Sequence, residues 1–207
     1  EAAPLLQRFG GGINFMGWSN LCRIHERMRL MTAVATMIAE SIGVIEYREV
    51  GAKLGEMVTY TEMWRHAMDG LEHTSFMTEG GLMSLGSMSG MNIYFAQTSA
   101  RMVQLLREIC GSGLIMQPSE NDLANPELRP DLERYMRGKG VEVEHKSRLY
   151  RLAHDLAVSS FGMRQEVYEY WHGGDPNRNR INLLNAYDQK DMTGRIKDMI
   201  SRPLPHA

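Results

Sequence analysis

The sequence predicts an all-α fold: a bundle of four long helices with two short C-terminal helices appended. Three observations carry this. Apolar residues recur at three- and four-residue steps over four long stretches. Helix-stop and helix-start residues punctuate the places where that period fails. A length of 207 residues suits one domain, and there is no internal repeat.

In the first stretch Leu21, Ile24, Met28, Met31, Ala35, Ile38 and Ile42 share a face, and Gly43 suits a C-terminal stop. The second places Val50, Leu54, Met57, Trp64, Met68 and Leu71 on one side. The third runs Ile93, Ala96, Ala100, Val103, Leu106 and Cys110, and breaks at "GSG" (111–113). The fourth is read as one continuous helix through Leu149, Leu152, Leu156, Ser160, Met163, Val167 and Tyr170. Asp175-Pro176 then has the form of an N-cap with proline in the first turn, opening a short helix through Tyr187. A last helix spans Asp191 to Ile200. Between the second and third helices, the glycine-rich "EGGLMSLGSMSGM" reads as an irregular loop with at most one short extended piece. "QPSENDLANPELRPDLERYMRGKG" reads as a long connection with one short helix near Pro130 to Arg137. Connections of this length are usually functional or interface-forming.

Composition narrows the function classes. Hydrophobic residues make up 43% and charged residues 23%, ordinary values for a soluble domain. A net charge of −2 makes no case for nucleic acid or an anionic membrane. No apolar run approaches the roughly 20 residues that span a bilayer, and the start has no signal-peptide pattern. Cys22 and Cys110 show no pairing or CxxC spacing, and read as buried thiols of a reducing cytosol. The 17 methionines suit core filling, or a surface that grips flat ligands. The chain opens Glu-Ala-Ala-Pro without a methionine, which leads us to expect a piece of something longer.

Within the fourth stretch, "SSFGMR" poses a problem. A glycine inside a helix costs about 1 kcal/mol relative to alanine, and a serine on an apolar stripe needs a hydrogen-bond partner. The backbone there is expected to be approached closely, by a ligand or by a neighbouring helix. Gly111 and Gly113 pose a similar choice, since a C-cap explains one of them and a ligand against the backbone could explain both. Arg48 stands at a helix start, where the dipole disfavours a cation; an anion partner and a plain surface arginine both fit. Glu142 and His145 form a single Glu-x-x-His where a di-iron bundle needs two, and the apolar stripes carry no carboxylate, so no metal site is expected. His66 and His73 share a face but read as solvated or capping groups. There is no HExxH, P-loop or GxSxG.

Four segments, "GVIEYREVGAKLGEMV", "SGLIMQPSENDLANPEL", "LERYMRGKG" and "SSFGMRQEVYE", resemble the C-terminal part of the 4-hydroxyphenylacetate 3-monooxygenase large-component family. The resemblance runs from about Asn20 to Ile200, with the motifs in the family's order. It implies an acyl-CoA-dehydrogenase-like C-terminal helical bundle, normally within a homotetramer. Family members take reduced FAD from a separate flavin reductase, react it with oxygen and hydroxylate a phenolic substrate, in a cytoplasmic setting. Residues 1–207 would then form one FAD-contacting and oligomerisation domain. The family's N-terminal helices and central β-domain are absent from this chain, and the domain alone would be inactive.

Carried over position by position, the resemblance implies FAD contacts at Ser160, Phe161, Gly162 and Met163, with Arg164 beside them. It also implies an interface arginine on the FAD pyrophosphate at Arg48, and adenosine-side glycines at Gly111 and Gly113. No catalytic residue is carried over. Two relatives are argued against. Where acyl-CoA dehydrogenases of the common type carry a Glu-Gly-Thr before their last bundle helix, the matching place is read as Arg137-Gly138-Lys139, which lacks the basic glutamate. The 4-hydroxybutyryl-CoA dehydratase branch needs a histidine seven residues before a ligating cysteine, and Phe15 stands there relative to Cys22. A cofactor-free helical interaction bundle is the non-enzyme alternative.

Overall fold

In the computed structural model the described residues are 10–86 and 88–202, with the side chains of 10–16 left aside; the Phe15 side chain lies outside them. The long helices are α1 (Gly10–Ser41), α2 (Arg48–His73) and α3 (Ser89–Cys110). A 3-10 turn (Gly111–Leu114) follows α3, and two short helices, α4 (Glu120–Ala124) and α5 (Arg129–Tyr135), occupy the long connection. Then come α6 (Val143–Ala157), α7 (Ser160–Trp171), α8 (Pro176–Ala186) and α9 (Lys190–Ile200). The glycine-rich loop holds one short strand, β2 (Met83–Ser84), which pairs antiparallel with β1 (Phe76–Met77) just before the loop.

The first three stripes form the core. Leu21, Ile24, Met28, Ala35 and Ile38 of α1, Met57 and Trp64 of α2, and Met102, Leu105 and Leu106 of α3 are almost wholly buried in one cluster. Trp64 stacks at a tilt on Phe95, 5.4 Å between ring centres. Its indole N–H donates to the Leu21 carbonyl at 3.1 Å, so the buried ring has no orphaned donor. Helices α2 and α3 run antiparallel. Lys53 pairs with Glu108 at 3.0 Å, and Glu56 takes two bonds from Arg101 at 2.7 and 2.8 Å. Those bonds, with one from the Tyr60 hydroxyl, hold the Glu56 carboxyl down at about 2. Helix α6 closes the bundle against α1 and α3, and α8 lies against α3.

Three expectations change. The fourth helix is two helices, broken at Val158–Ser159. The long connection carries α4 besides α5; the Ser119 hydroxyl accepts from Asp122 N while the Asp122 side chain accepts from Ser119 N, a capping box. The Arg137-Gly138-Lys139 turn serves packing: Lys139 N donates to the last carbonyl of α1, Ser41 O, at 2.7 Å. A Cβ on Gly138 would lie 2.7 Å from that same oxygen. Since α6 and α7 are separate, the segment leading into α7 reads Val158-Ser159, which also lacks a carboxylate.

Trp64→Ala removes the largest side chain of the core and its bond to α1, and should lower the unfolding free energy by about 3–5 kcal/mol. Urea denaturation followed by circular dichroism checks this; a loss under about 1 kcal/mol would show the core to be centred elsewhere.

Candidate functional site

The corner between α6 and α7 is built by a serine and a glycine. Ser159 has extended backbone, and its hydroxyl accepts from the Gly162 N–H at 3.1 Å, the ordinary N-cap bond. This restart lets the first turn of α7 ride on the last turn of α6. A Cβ on Gly162 would sit 2.6 Å from Asp155 O and 2.9 Å from the Leu156 carbonyl carbon. The close approach to this glycine is therefore made by the chain's own backbone. Gly113 is similar, since a Cβ there would lie 2.3 Å from the Tyr150 ring. Gly111 has open space around it but a φ of +55°, so its constraint is conformational.

Helix α7 is turned over relative to the stripe expected from α6. Met163, Val167 and Tyr170 are exposed, together with Phe161 and Trp171, while Gly162 and Glu169 are its buried residues. The stripe read from spacing holds no carboxylate, but the face that α7 buries is a different one and holds Glu169. The Glu169 carboxylate receives Arg23 at 2.5 and 2.8 Å and Gln165 at 2.7 Å, with Arg27 at 3.7 Å. Burial would push this carboxyl up, but the Arg23 and Gln165 bonds and the two nearby guanidinium charges outweigh burial and hold it below the usual range. Arg27 Nε and Nη2 are buried without a hydrogen-bond partner, and burial lowers the Arg27 pKa despite Glu169. His172 extends the network, with Asn20 at 2.9 Å and a stacked Tyr168 ring at 5.1 Å.

Arg107 of α3 locks the corner from the other side. Its Nε donates to Ala157 O at 2.7 Å, and its Nη2 reaches Met163 Sδ at 3.0 Å and Glu166 at 3.4 Å. Arg107, Gly111, Ser112, Leu114, Ile115, Ala157, Val158 and Met163 line an open, mainly apolar depression of about 460 Å³. A second pocket, about 240 Å³, continues past Met163 between α3 and α7 to Trp171. Two of the three segments marked in the sequence thus meet: Gly111 and Met163 line one depression. Ser160, Phe161 and Arg164 are exposed on the same first turn of α7, while Gly162 and Gly113 are occupied by packing. Arg48, exposed at the start of α2, comes to the same end of α3, because Lys53 one and a half turns later pairs with Glu108. Among the described residues, no hydrogen bond or ion pair joins Arg48 to the other two segments. Arg107, Glu169, Arg23 and Arg27 were missed in the sequence. Ser159 alone left a signal, a capping residue at the break.

Comparison with known proteins decides the family. The profile described as "4-hydroxyphenylacetate 3-hydroxylase C terminal" matches residues 4–201. The chain belongs to this 4-hydroxyphenylacetate 3-hydroxylase family. The oxygenase component of 4-hydroxyphenylacetate 3-monooxygenase from Thermus thermophilus is 32% identical over 94% of this chain and 40% of its own length. A probable 4-hydroxyphenylacetate 3-monooxygenase of Bacillus subtilis is 28% identical over 87% of the chain and 38% of its own. The chain therefore spans about two fifths of these relatives. A crystal structure of an oxygenase component of 4-hydroxyphenylacetate 3-monooxygenase complexed with FAD superposes with a TM-score of 0.87 at 31% identity, over 92% of this chain and 40% of that one. An archaeal 4-hydroxybutyryl-CoA dehydratase, 22% identical with a TM-score of 0.73 over 86% of this chain and 37% of its own, shares the fold. The all-α, acyl-CoA-dehydrogenase-like bundle is thus the family's fold.

Two outcomes follow for this corner. Gly162→Ala should destabilise by about 1–3 kcal/mol, because the methyl meets backbone, whatever helix propensity it gains; a stabilised variant in thermal melts would refute the close approach. Glu169→Gln should cost about 2–4 kcal/mol at pH 7, less than a fully buried pair because Arg23 is partly exposed. A lowered folded-state pKa stabilises above the unfolded value of about 4.3 and is lost as pH falls through the lower folded value. The deficit of Glu169→Gln should therefore shrink below pH ~4 in denaturation series, and a pH-independent deficit would count against the buried ion pair.

Proposed function

We propose that this chain is the C-terminal domain of the oxygenase component of a two-component monooxygenase, and that it helps a full-length enzyme use reduced FAD and oxygen to hydroxylate a phenolic substrate. The observation that supports this best is the meeting of Gly111 and Met163 in one apolar depression, in a chain that matches the family along nearly its whole length. When bound, reduced FAD supplies the oxygen-activating chemistry.

The residues present fit that group. The Gly111 turn offers backbone without a side chain in the way. Leu114, Ile115, Val158 and Met163 give an apolar lining that keeps water from a flat ring system. Arg164, exposed on α7 next to Met163 in sequence, and Arg48, at the same end of the bundle, would supply guanidinium groups for a pyrophosphate, Arg48 toward a neighbouring subunit. Ser160 and Phe161 lie exposed on the α7 turn beside Met163, within the same surface. Gly162 and Gly113 act indirectly, by letting α7 and the 3-10 turn sit close enough to form it. The proposal includes a flavin reductase as partner, a homotetramer, a cytoplasmic setting and a role in aromatic-compound catabolism.

The test is anaerobic titration of the full-length protein with reduced FAD. Met163→Asp and Arg48→Ala should each weaken binding at least tenfold, about 1.4 kcal/mol, with melting temperatures near the original. Unaltered affinity in both, or phenol hydroxylation that persists after flavin is stripped, would sink the reading.

A further inference from the structure

The pocket between α3 and α7 contains a polar group that the chain itself leaves unused. Ser99 of α3 lines it, is 3% exposed, and carries a hydroxyl with no hydrogen-bond partner among the described residues. A buried hydroxyl without a partner costs free energy, so an orphan beside an opening calls for an occupant that bonds to it. Small side chains make that opening. Ala96 and Ala100 stand one helical turn apart on α3, on either side of Ser99 in sequence, where larger residues would close the gap against α7. Val167, Tyr170 and Trp171 of α7 form the opposite wall. The space is about 240 Å³. An apolar cavity of about 150 Å³ is enough for benzene, so a single aromatic ring with a small substituent fits.

The charged groups narrow the ligand further. Glu166 lines the same pocket and takes one long bond, from Arg107 Nη2 at 3.4 Å, which leaves its carboxylate free to accept another. Among the described residues no lysine, arginine or histidine lines the pocket. An anionic ligand would lose its water there and meet a carboxylate. A hydroxyl group suits both polar residues at once, by donating to Glu166 and accepting from Ser99. We infer that the α3–α7 pocket is a second small-molecule site, distinct from the depression proposed for FAD, and that it takes an uncharged single-ring aromatic bearing one hydroxyl. Tyr170 and Trp171 supply the ring contacts and the two alanines supply the room. Ser99 and Glu166 together select a hydroxyl over a methoxy group or a carboxylate. Met163 is the one wall that the two spaces share, and the inference does not depend on the FAD reading.

Equilibrium dialysis of phenol against the full-length protein, stripped of flavin, reads the result. At least one phenol should be held per chain. Ala100→Leu, which fills the mouth from an exposed position, should remove one equivalent. Anisole and benzoate should compete for that equivalent about tenfold more weakly. Ser99→Ala should weaken phenol by a similar factor while the melting temperature holds or rises, because an unsatisfied hydroxyl is removed. A wild-type protein that binds no phenol overturns the site, as does phenol binding that Ala100→Leu leaves unmoved. An equivalent that anisole or benzoate fills as well as phenol overturns it too. If Ala100→Leu melts early, Ser99→Ala decides, and unchanged phenol affinity there overturns the inference. Flavin is absent throughout, so failure here leaves the FAD depression to its own titration.

Discussion

Glu169, a carboxylate buried against Arg23 with Arg27 close by, determines which way α7 faces. A twelve-residue helix carrying Phe161, Met163, Val167, Tyr168, Tyr170 and Trp171 would ordinarily turn those side chains inward. Here the polar edge is turned in, with one acid satisfied by a guanidinium fork and a glutamine. The apolar side chains face out and form the walls of the surface beside α3. Taking the partner from such an acid costs far more than never having buried it, so the orientation is fixed once Arg23 engages.

Two contacts complete what Glu169 begins. Gly162 allows the start of α7 to lie on the backbone of α6, and Arg107 ties α3 to both helices through Ala157 O and Met163. Between them they set the distance from the first turn of α7 to the Gly111 turn, hence the width of the depression proposed to receive FAD. Buried Cys110, one turn from Arg107, contributes volume alone, since burial pushes its thiol up to about 12.

How far the sequence could be read depended on what holds each element. The stripes of α1, α2 and α3 are apolar and continuous, and their period led to the right buried faces, Trp64 and Leu106 included. Asp175-Pro176 was legible because capping is local. The same apolar logic carried one step too far placed Met163 and Val167 inside, where charge pairing 146 residues apart overrides periodicity. Spacing led to a close approach at Gly162, by a ligand or a neighbouring helix, and the backbone at the end of α6 makes that approach. The propensity cost of a mid-helix glycine does not apply in full, because Ser159 caps a new helix and Gly162 falls in its first turn.

The depths of the tryptophans have an optical consequence. Trp64 is sealed in the core and Trp171 stands more than half exposed at the far end of the α3–α7 pocket, with Trp18 between these extremes. An indole in an apolar interior emits to the blue of one in water, so a single chain carries separate internal and external fluorophores. Global unfolding would register mainly through Trp64. Anything that covered the outer face of α7 would shift or quench Trp171 first, while the core signal stayed in place.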